Sequence, residues 1–399
     1  MGRMNDLPII RLAPKTNARA LRWGAPWVYA DEVVMDRRTK GIAAGSIVLL
    51  QDNERQDIGL AGFNANSKII ARVLERDTSV PIDRAWLTAK LQRALALRQD
   101  LFNTPYYRLI HAEADGLPGV IIDRFGDVAV IQPNAAWAEV LLPDLAQALV
   151  AVTGVTTVVK NATGRSRGLE GLSEETLVLQ GSLDALIAVP MNGATYLADV
   201  IEGQKTGLFY DQRPNHALAA RLAKGKTMLD VFAHVGGFAL AALAQGAVSA
   251  LAVDSSAAAL DLATQGARLS GVADKLSTQQ SDAFDAMTAL AADGRIFDVV
   301  VCDPPAFAPN KAALEAGLRA YERVARLGAA LTQKDGYLLL CSCSHAADLA
   351  KFRDACLRGI GKAGRKAQIV ATGAAGSDHP THPYLAETSY LKALFLRLD

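Results

Sequence analysis

The chain has 399 residues, half of them apolar and 21% charged, which is the composition of a folded protein of two to three domains and excludes a disordered or fibrous one. Forty-two Lys and Arg against 41 Asp and Glu leave a formal net charge of +1, so no bulk positive field announces nucleic acid and any such site must be a local patch. No apolar run approaches the ~20 residues that span a bilayer. The N-terminal Met1-Gly2-Arg3-Met4-Asn5-Asp6 lacks the apolar core of a signal peptide. Cys302, Cys341, Cys343 and Cys356 lack the tight Cys/His spacing of structural zinc. These features predict a cytoplasmic protein with reduced thiols, no membrane partner and no metal site.

In chain order, Ile47-Val48-Leu49-Leu50 and Lys68 to Val73 read as short strands separated by the turn residues Gly45, Asp52-Asn53 and Gly62, which predicts a small barrel over residues 1–76. A helix follows over Asp83 to Asn103, with Trp86, Leu87, Leu91, Leu95 and Leu101 near helical spacing. Residues 77–190 then mix strands (Val120 to Asp123, Val128 to Gln132, Thr157 to Lys160) with a helix over Trp137 to Ala151. From about residue 191 apolar strands alternate with helices. Met228 to Phe232, Ala250 to Asp254, Phe297 to Cys302 and Gly336 to Cys341 are the strands, with helices at Ala239 to Ala244 and Ala257 to Leu269. That alternation predicts an α/β fold with a mostly parallel, doubly wound sheet over 191–399.

Three features lie just after strands of this last segment. Gly236-Gly237 opens a helix, where glycine lets a ligand approach the backbone and the helix start offers free N–H groups. Asp254 ends the second strand, where a carboxylate can take both hydroxyls of a ribose, and Asp282-Ala283-Phe284 suits an adenine edge. Taken singly, these are a helix-entry turn and two N-caps. Three in register at the carboxyl ends of strands predict a nucleotide-like cofactor. The spacing is not Gly-x-Gly-x-x-Gly, which disfavours NAD.

The run Leu229-Asp230-Val231-Phe232 through Gly236-Gly237-Phe238, together with Asp254, Asp282 and Asp303-Pro304-Pro305, resembles motifs I to IV of class I S-adenosylmethionine-dependent methyltransferases. More narrowly, nearly the whole chain resembles the bacterial large-subunit ribosomal RNA methyltransferases that modify carbon 5 of cytosine. Gly24-Ala25-Pro26-Trp27-Val28-Tyr29 resembles their RNA-binding PUA domain, Glu113 to Gly119 and Leu169 to Leu172 their central domain, and Gly203 to Arg213 the signature ahead of motif I. The chain departs from the family pattern at Ala306, where Lys is usual, at His234-Val235, where Tyr-Thr is usual, and at His216, where Arg is common.

The resemblance implies S-adenosylmethionine as cofactor, held by Phe232, His234, Gly236, Gly237, Asp254, Ser255, Asp282, Ala283 and Asp303, with Gln204, Asp211 and Arg213. It also implies RNA, specifically large-subunit ribosomal RNA, as partner; a homodimer is left open. Carbon 5 of cytosine is too weak a nucleophile to take a methyl group unaided, and thiolate addition at carbon 6 activates it. Such an enzyme needs a cysteine beside the methyl group and an acid at the ring. Ser342-Cys343-Ser344 resembles the family's Ser-Cys-Ser, which makes Cys343 the expected nucleophile, with Cys341 a deeper core thiol. Asp303 is the expected acid, since Pro304-Pro305 forces an extended backbone that turns it to the cleft. Phe307 can stack on a flipped base or pack as core. Pro304, Pro305 and Phe307 are expected substrate contacts; for RNA grip, Lys160, Arg165 and Arg167 cluster around Gly164 and Gly168, and Arg11, Lys15, Arg19 and Arg22 crowd the N-terminal segment. Two rival functions fit the same residues: methylation of a guanine nitrogen or another RNA base, and a non-catalytic RNA-binding assembly factor.

Overall fold

The computed structural model describes residues 7–183, 186–201 and 207–399, which fall into two compact units. The first comprises Met1–Ala185, Asp199–Gly207 and Asp378–Thr388, and the second Leu186–Ala198, Leu208–Ser377 and Ser389–Asp399.

The first unit opens with five short strands, β1 (Ile9–Arg11), β2 (Trp27–Tyr29), β3 (Ile47–Gln51), β4 (Asp57–Phe63) and β5 (Ile69–Glu75), in the order β1-β3-β4-β5-β2. Period-two alternation turns Val48 and Leu50 inward onto Ile10, Val28, Phe63 and Ile70. The expected helix runs over Arg84–Leu101, started by the Asp83 carboxylate, which accepts the Trp86 N–H at 3.0 Å. A second sheet follows: β6 (Tyr106–His111), β7 (Val120–Phe125), β8 (Val128–Pro133), β9 (Thr157–Ala162) and β10 (Glu175–Gln180), in the order β10-β9-β8-β7-β6. Between the parallel strands β8 and β9 the chain crosses over through two helices, Ala136–Val140 and Leu142–Thr153, instead of the single helix expected from Trp137 to Ala151. Pro143 explains the break: it lacks the N–H that a continuous helix would use, and sits in the first turn of the second helix. Trp137 packs against Gly62 of β4, where a Cβ would lie 2.6 Å from its ring, so the two sheets share one unit.

The second unit begins with a hairpin, β11 (Ile187–Met191) and β12 (Ala194–Ala198). Its main sheet contains β13 (Thr227–Val231), β14 (Ser249–Asp254), β15 (Leu276–Gln280), β16 (Phe297–Cys302), β17 (Thr332–Ser342), β18 (Ala367–Gly373) and β19 (Lys392–Leu398), in the order β15-β14-β13-β16-β17-β19-β18. The first five are parallel, and β19 runs antiparallel between β17 and β18. The expected mostly parallel, doubly wound α/β sheet is therefore present. Its strands read as unbroken apolar runs because both faces are covered: Leu229, Val231, Val300, Leu338 and Leu340 all sit in one core with Phe352 and Ile360 from a covering helix. Strand order reverses between β13 and β16, which is the switch point beside whose strand carboxyl ends open α/β sheets bind ligands.

Candidate active site

The loop leaving β13 is conformationally unusual. Phe232 (φ 64°) and His234 (φ 50°) adopt left-handed backbone without being glycine, and Gly236 (φ 78°) follows. Such conformations cost about 1–3 kcal/mol each and persist where surrounding structure enforces them, typically at ligand sites. The enforcing contacts are visible. The Ala233 N–H bonds the Val253 carbonyl, and the His234 N–H donates to Asp254 Oδ2 at 2.8 Å. Gly237 starts the helix Gly237–Ala244 directly above the buried His216 ring, where a Cβ would lie 2.7 Å from Cε1 and Nε2. Burial holds His216 neutral, with its pKa pushed down to about 3.

Asp254 accepts His234 N–H on one oxygen and Ser256 N–H, at 2.9 Å, on the other. A carboxylate has about four acceptor positions, so two remain for ligand hydroxyls. Ser255 beside it is exposed. Beneath the loop, Asp230 is fully buried. Its Oδ2 accepts Ala239 N–H at 2.9 Å, while Oδ1 has no hydrogen-bond partner among the described residues. Burial raises its pKa to about 7, and the nearby Asp254 charge adds to the rise. Asp211 is also buried, with Oδ2 accepting the Tyr390 hydroxyl at 2.5 Å and Oδ1 lacking a partner among the described residues. A ribose facing Asp254, and a cationic group facing buried carboxylate oxygens that lack donors, are what this edge suits; S-adenosylmethionine carries both.

Across the switch point, Asp303 stands after β16 with its N–H on the Val231 carbonyl at 3.3 Å and Oδ2 accepting Gln212 Nε2 at 2.9 Å. Gln212 is held in turn by Asn215, whose Nδ2 donates to Gln212 Oε1 at 2.6 Å. At the end of β17 the two expected thiols separate. Cys341 is buried, and burial together with the Asp303 charge pushes its pKa well above the ordinary thiol value. Cys343 lies one residue past the strand and is partly exposed. Ser342 and Ser344 on either side both turn to the Tyr321 hydroxyl, at 2.8 and 2.7 Å, and Ser344 Oγ also accepts the Ala308 N–H at 2.9 Å.

Some expected site residues carry other duties. Asp282 caps the helix Ala283–Ala292 through Oδ1, which accepts the Phe284 and Asp285 N–H groups; Ala283 packs in the core. Phe307 packs on the core with Phe232, Phe284 and Tyr321 at centroid distances of 6.3, 6.2 and 5.1 Å. Pro304 is buried and Pro305 exposed. Arg213 lies over the Tyr210 ring at 5.2 Å. The RNA grip expected at Lys160 and Arg167 is corrected: both are buried, Lys160 bonds Glu139 and Glu175, and Arg167 bonds Glu139 and the carbonyls of Pro133 and Ser173. Their charges are neutralised internally and present no open patch. Gln204 and the Arg165 side chain lie outside the described residues. Sequence reasoning missed Gln212, Asn215, Tyr321, Tyr390 and Lys392, whose polarity signals nothing until the fold sets them beside Asp303, Asp211 and Cys343.

Residues 144–397 match the family model of S-adenosylmethionine-dependent methyltransferases, and residues 10–76 match that of the PUA-like domain. The chain is 34% identical over 394 residues to the ribosomal RNA large subunit methyltransferase I of Shewanella denitrificans, covering 98% of this chain and 99% of that one. Among solved structures, a protein from Streptococcus mutans described as a SAM-dependent methyltransferase shares the fold with a TM-score of 0.81 at 18% identity, covering 98% of this chain and 100% of that one. A methyltransferase complexed with SAH shares it at 0.82 and 19%, covering 98% and 99%.

Proposed function

The chain belongs to the S-adenosylmethionine-dependent methyltransferase family, with a PUA-like domain ahead of the catalytic fold, and from that premise we propose that it methylates carbon 5 of a cytosine in large-subunit ribosomal RNA through a covalent adduct on Cys343. The observation that carries this reading is the contrast between two thiols, one near the end of β17 and one just past it. Cys341 is buried and held protonated, whereas Cys343 is partly exposed at the crevice edge. The ribosomal substrate is carried over from the Shewanella relative's name.

S-adenosylmethionine, when bound, supplies the methyl group on a sulfonium centre. Asp254 holds its ribose, and the Gly236-Gly237 turn keeps side chains out of its way. Cys343 adds as thiolate to carbon 6 of the cytosine, and the carbon 5–carbon 6 electrons shift toward carbon 5 and the ring nitrogen, where Asp303, a carboxylate in the free protein that takes up a proton when the base binds, donates that proton. Carbon 5 then takes the methyl group; its proton passes to solvent, the electrons of that C–H bond re-form the carbon 5–carbon 6 double bond and expel the thiolate, and the ring-nitrogen proton returns to Asp303. The barrel contributes RNA grip. Trp23 is 60% exposed with the Arg19 guanidinium 3.9 Å above its ring, an arrangement suited to stacking on a base and pairing with phosphate.

Incubation with 5-fluorocytosine-containing ribosomal RNA tests the core of this reading, because fluorine blocks the final elimination and traps the adduct. A trapped complex in the wild type that vanishes in Cys343→Ala, with calorimetric cofactor binding retained, is the expected result. A trap that persists in Cys343→Ala and vanishes in Cys341→Ala reverses the assignment; no trap in the wild type favours a guanine-directed or non-catalytic protein. Trp23→Ala is expected to weaken RNA binding without changing cofactor affinity.

A further inference from the structure

Lys392 opens β19 directly opposite Ser342 in the antiparallel pair with β17. A lysine 8% exposed normally needs a carboxylate partner, and in the described residues this one instead donates to two backbone carbonyls, Ser344 at 2.6 Å and Ala347 at 2.8 Å. Both acceptors belong to the loop that follows Cys343. The ammonium therefore pins the loop at the Ser344 and Ala347 carbonyls while the Tyr321 hydroxyl pins the Ser342 and Ser344 side chains. We propose that Lys392 is the positioning residue of the nucleophile: a buried cation, anchored on the loop carbonyls, that fixes the Cys343 turn and keeps its thiol in the reactive thiolate form.

The electrostatics agree with that geometry. Burial lowers the Lys392 pKa, and the charge of Cys343 opposes that effect most strongly, with Asp348 behind it. The coupling is mutual, so an ammonium stabilised by the thiolate stabilises the thiolate equally. Among the described residues, Asp303, Asp348, Tyr321 and His345 are further ionisable groups around the turn. Asp303 lies on the strand side and Asp348 on the following helix cap, and their negative charge disfavours a thiolate, while the buried Cys341 stays protonated and neutral. Tyr321, pushed up to about 12 by burial, stays protonated, and His345 sits against the Tyr390 ring at 5.8 Å. Among the described residues, Lys392 is a buried cation placed to offset these acids. The inference rests on the proposed function only in naming Cys343 the nucleophile; the charge relation itself does not depend on the substrate.

Iodoacetamide alkylation of the full-length protein across pH, followed at the Cys343 peptide by mass spectrometry, tests it. The wild-type profile is expected to have its midpoint below the ~8.5 of a free thiol. Lys392→Gln, which can still donate to both carbonyls, is expected to move the midpoint up by about one pH unit. Lys392→Arg is expected to stay near wild type, and Tyr321→Phe, which loosens the loop without removing charge, to leave the midpoint in place. A wild-type midpoint at or above the free-thiol value overturns the proposal, and this needs no variant. Coincident profiles for wild type and Lys392→Gln, with cofactor binding retained in both, overturn it as well. If Cys343→Ala still forms the fluorocytosine adduct while Lys392→Gln shifts the alkylation midpoint, the proposed nucleophile fails and the charge relation stands.

Discussion

Lys160 and Arg167 in the first unit are as buried as its apolar core, and each cation meets a carboxylate, with Glu139 shared between them and Glu175 closing on Lys160. The crevice edge of the second unit is built differently. Asp230 Oδ1, Asp211 Oδ1 and His216 Nδ1 are buried without a hydrogen-bond partner among the described residues, and Phe232 and His234 hold left-handed backbone. Matched charges of the first kind fix how segments pack. Under-satisfied polar atoms and stored backbone strain cost stability in either unit, and Arg167 Nη2 and Asn134 Oδ1 in the first also lack a partner among the described residues; what sets the second apart is that two of its unpartnered atoms are carboxylate oxygens and that they accompany left-handed backbone after β13.

The sharpest way to break that comparison is pH. Asp230 has a folded pKa of about 7 against an ordinary carboxyl value of 3.8. The folded state therefore binds the proton more tightly than the unfolded one. Stability associated with this group is fully present below about pH 4 and is lost as pH rises through 7. Relative to Asp230→Asn, the wild type is expected to lose on the order of 4 kcal/mol over that window, read from urea unfolding at a series of pH values. A wild-type curve parallel to the variant's would show that the buried acid carries no such cost.

Removing the shared acid tests the other side. Glu139→Ala leaves Arg167 without its carboxylate and Lys160 with one, and is expected to cost about 3 kcal/mol in urea unfolding while leaving methyl transfer per folded molecule unchanged. Asp254→Ala is expected to behave in reverse. Cofactor affinity falls by roughly 10- to 150-fold, from the loss of about 1.5–3 kcal/mol of hydrogen bonding to a charged group, and calorimetry reads it directly. The smallest effect is expected from Gly237→Ala, whose Cβ meets the His216 ring at 2.7 Å. Displacing that ring is expected to cost about 1–2 kcal/mol in thermal unfolding, with a weaker loss of cofactor affinity than Asp254→Ala.

Much of this architecture was legible because the signals were local. Asp83 starts a helix where a carboxylate precedes apolar periodicity, and Asp254 and Asp303 stand after buried-strand runs, so placing the strands placed the acids. The misread features depend on partners distant in sequence. Lys160 and Arg167 look like an exposed basic loop until Glu139, 21 and 28 residues away, folds onto them. Lys392 looks like the polar start of an apolar run. Its reach to Ser344 and Ala347 follows from β19 pairing antiparallel beside β17, and apolar periodicity does not specify strand order or direction. The helix broken before Pro143 was a local signal that apolar periodicity across Trp137 to Ala151 outweighed.

Tyr321 ties two loops from different stretches of the chain into one heritable unit. Its hydroxyl meets Ser342 and Ser344, and Ser344 in turn receives the Ala308 N–H from the loop after Asp303-Pro304-Pro305. Tyr321→Phe alone takes one hydrogen bond from each of two buried serine hydroxyls, which keep the Ser344 and Ala308 N–H groups, and Ser344→Ala alone strands the Ala308 N–H and leaves the phenol with Ser342 only. Combined with Ser342→Ala, Tyr321→Phe removes polar groups whose partners have already gone, so the double change costs less than the sum of its parts. Lineages that alter this rim therefore cross a barrier in pairs of substitutions, and a mutational library selected for methylation should return Tyr321 changes together with changes at the serines instead of alone.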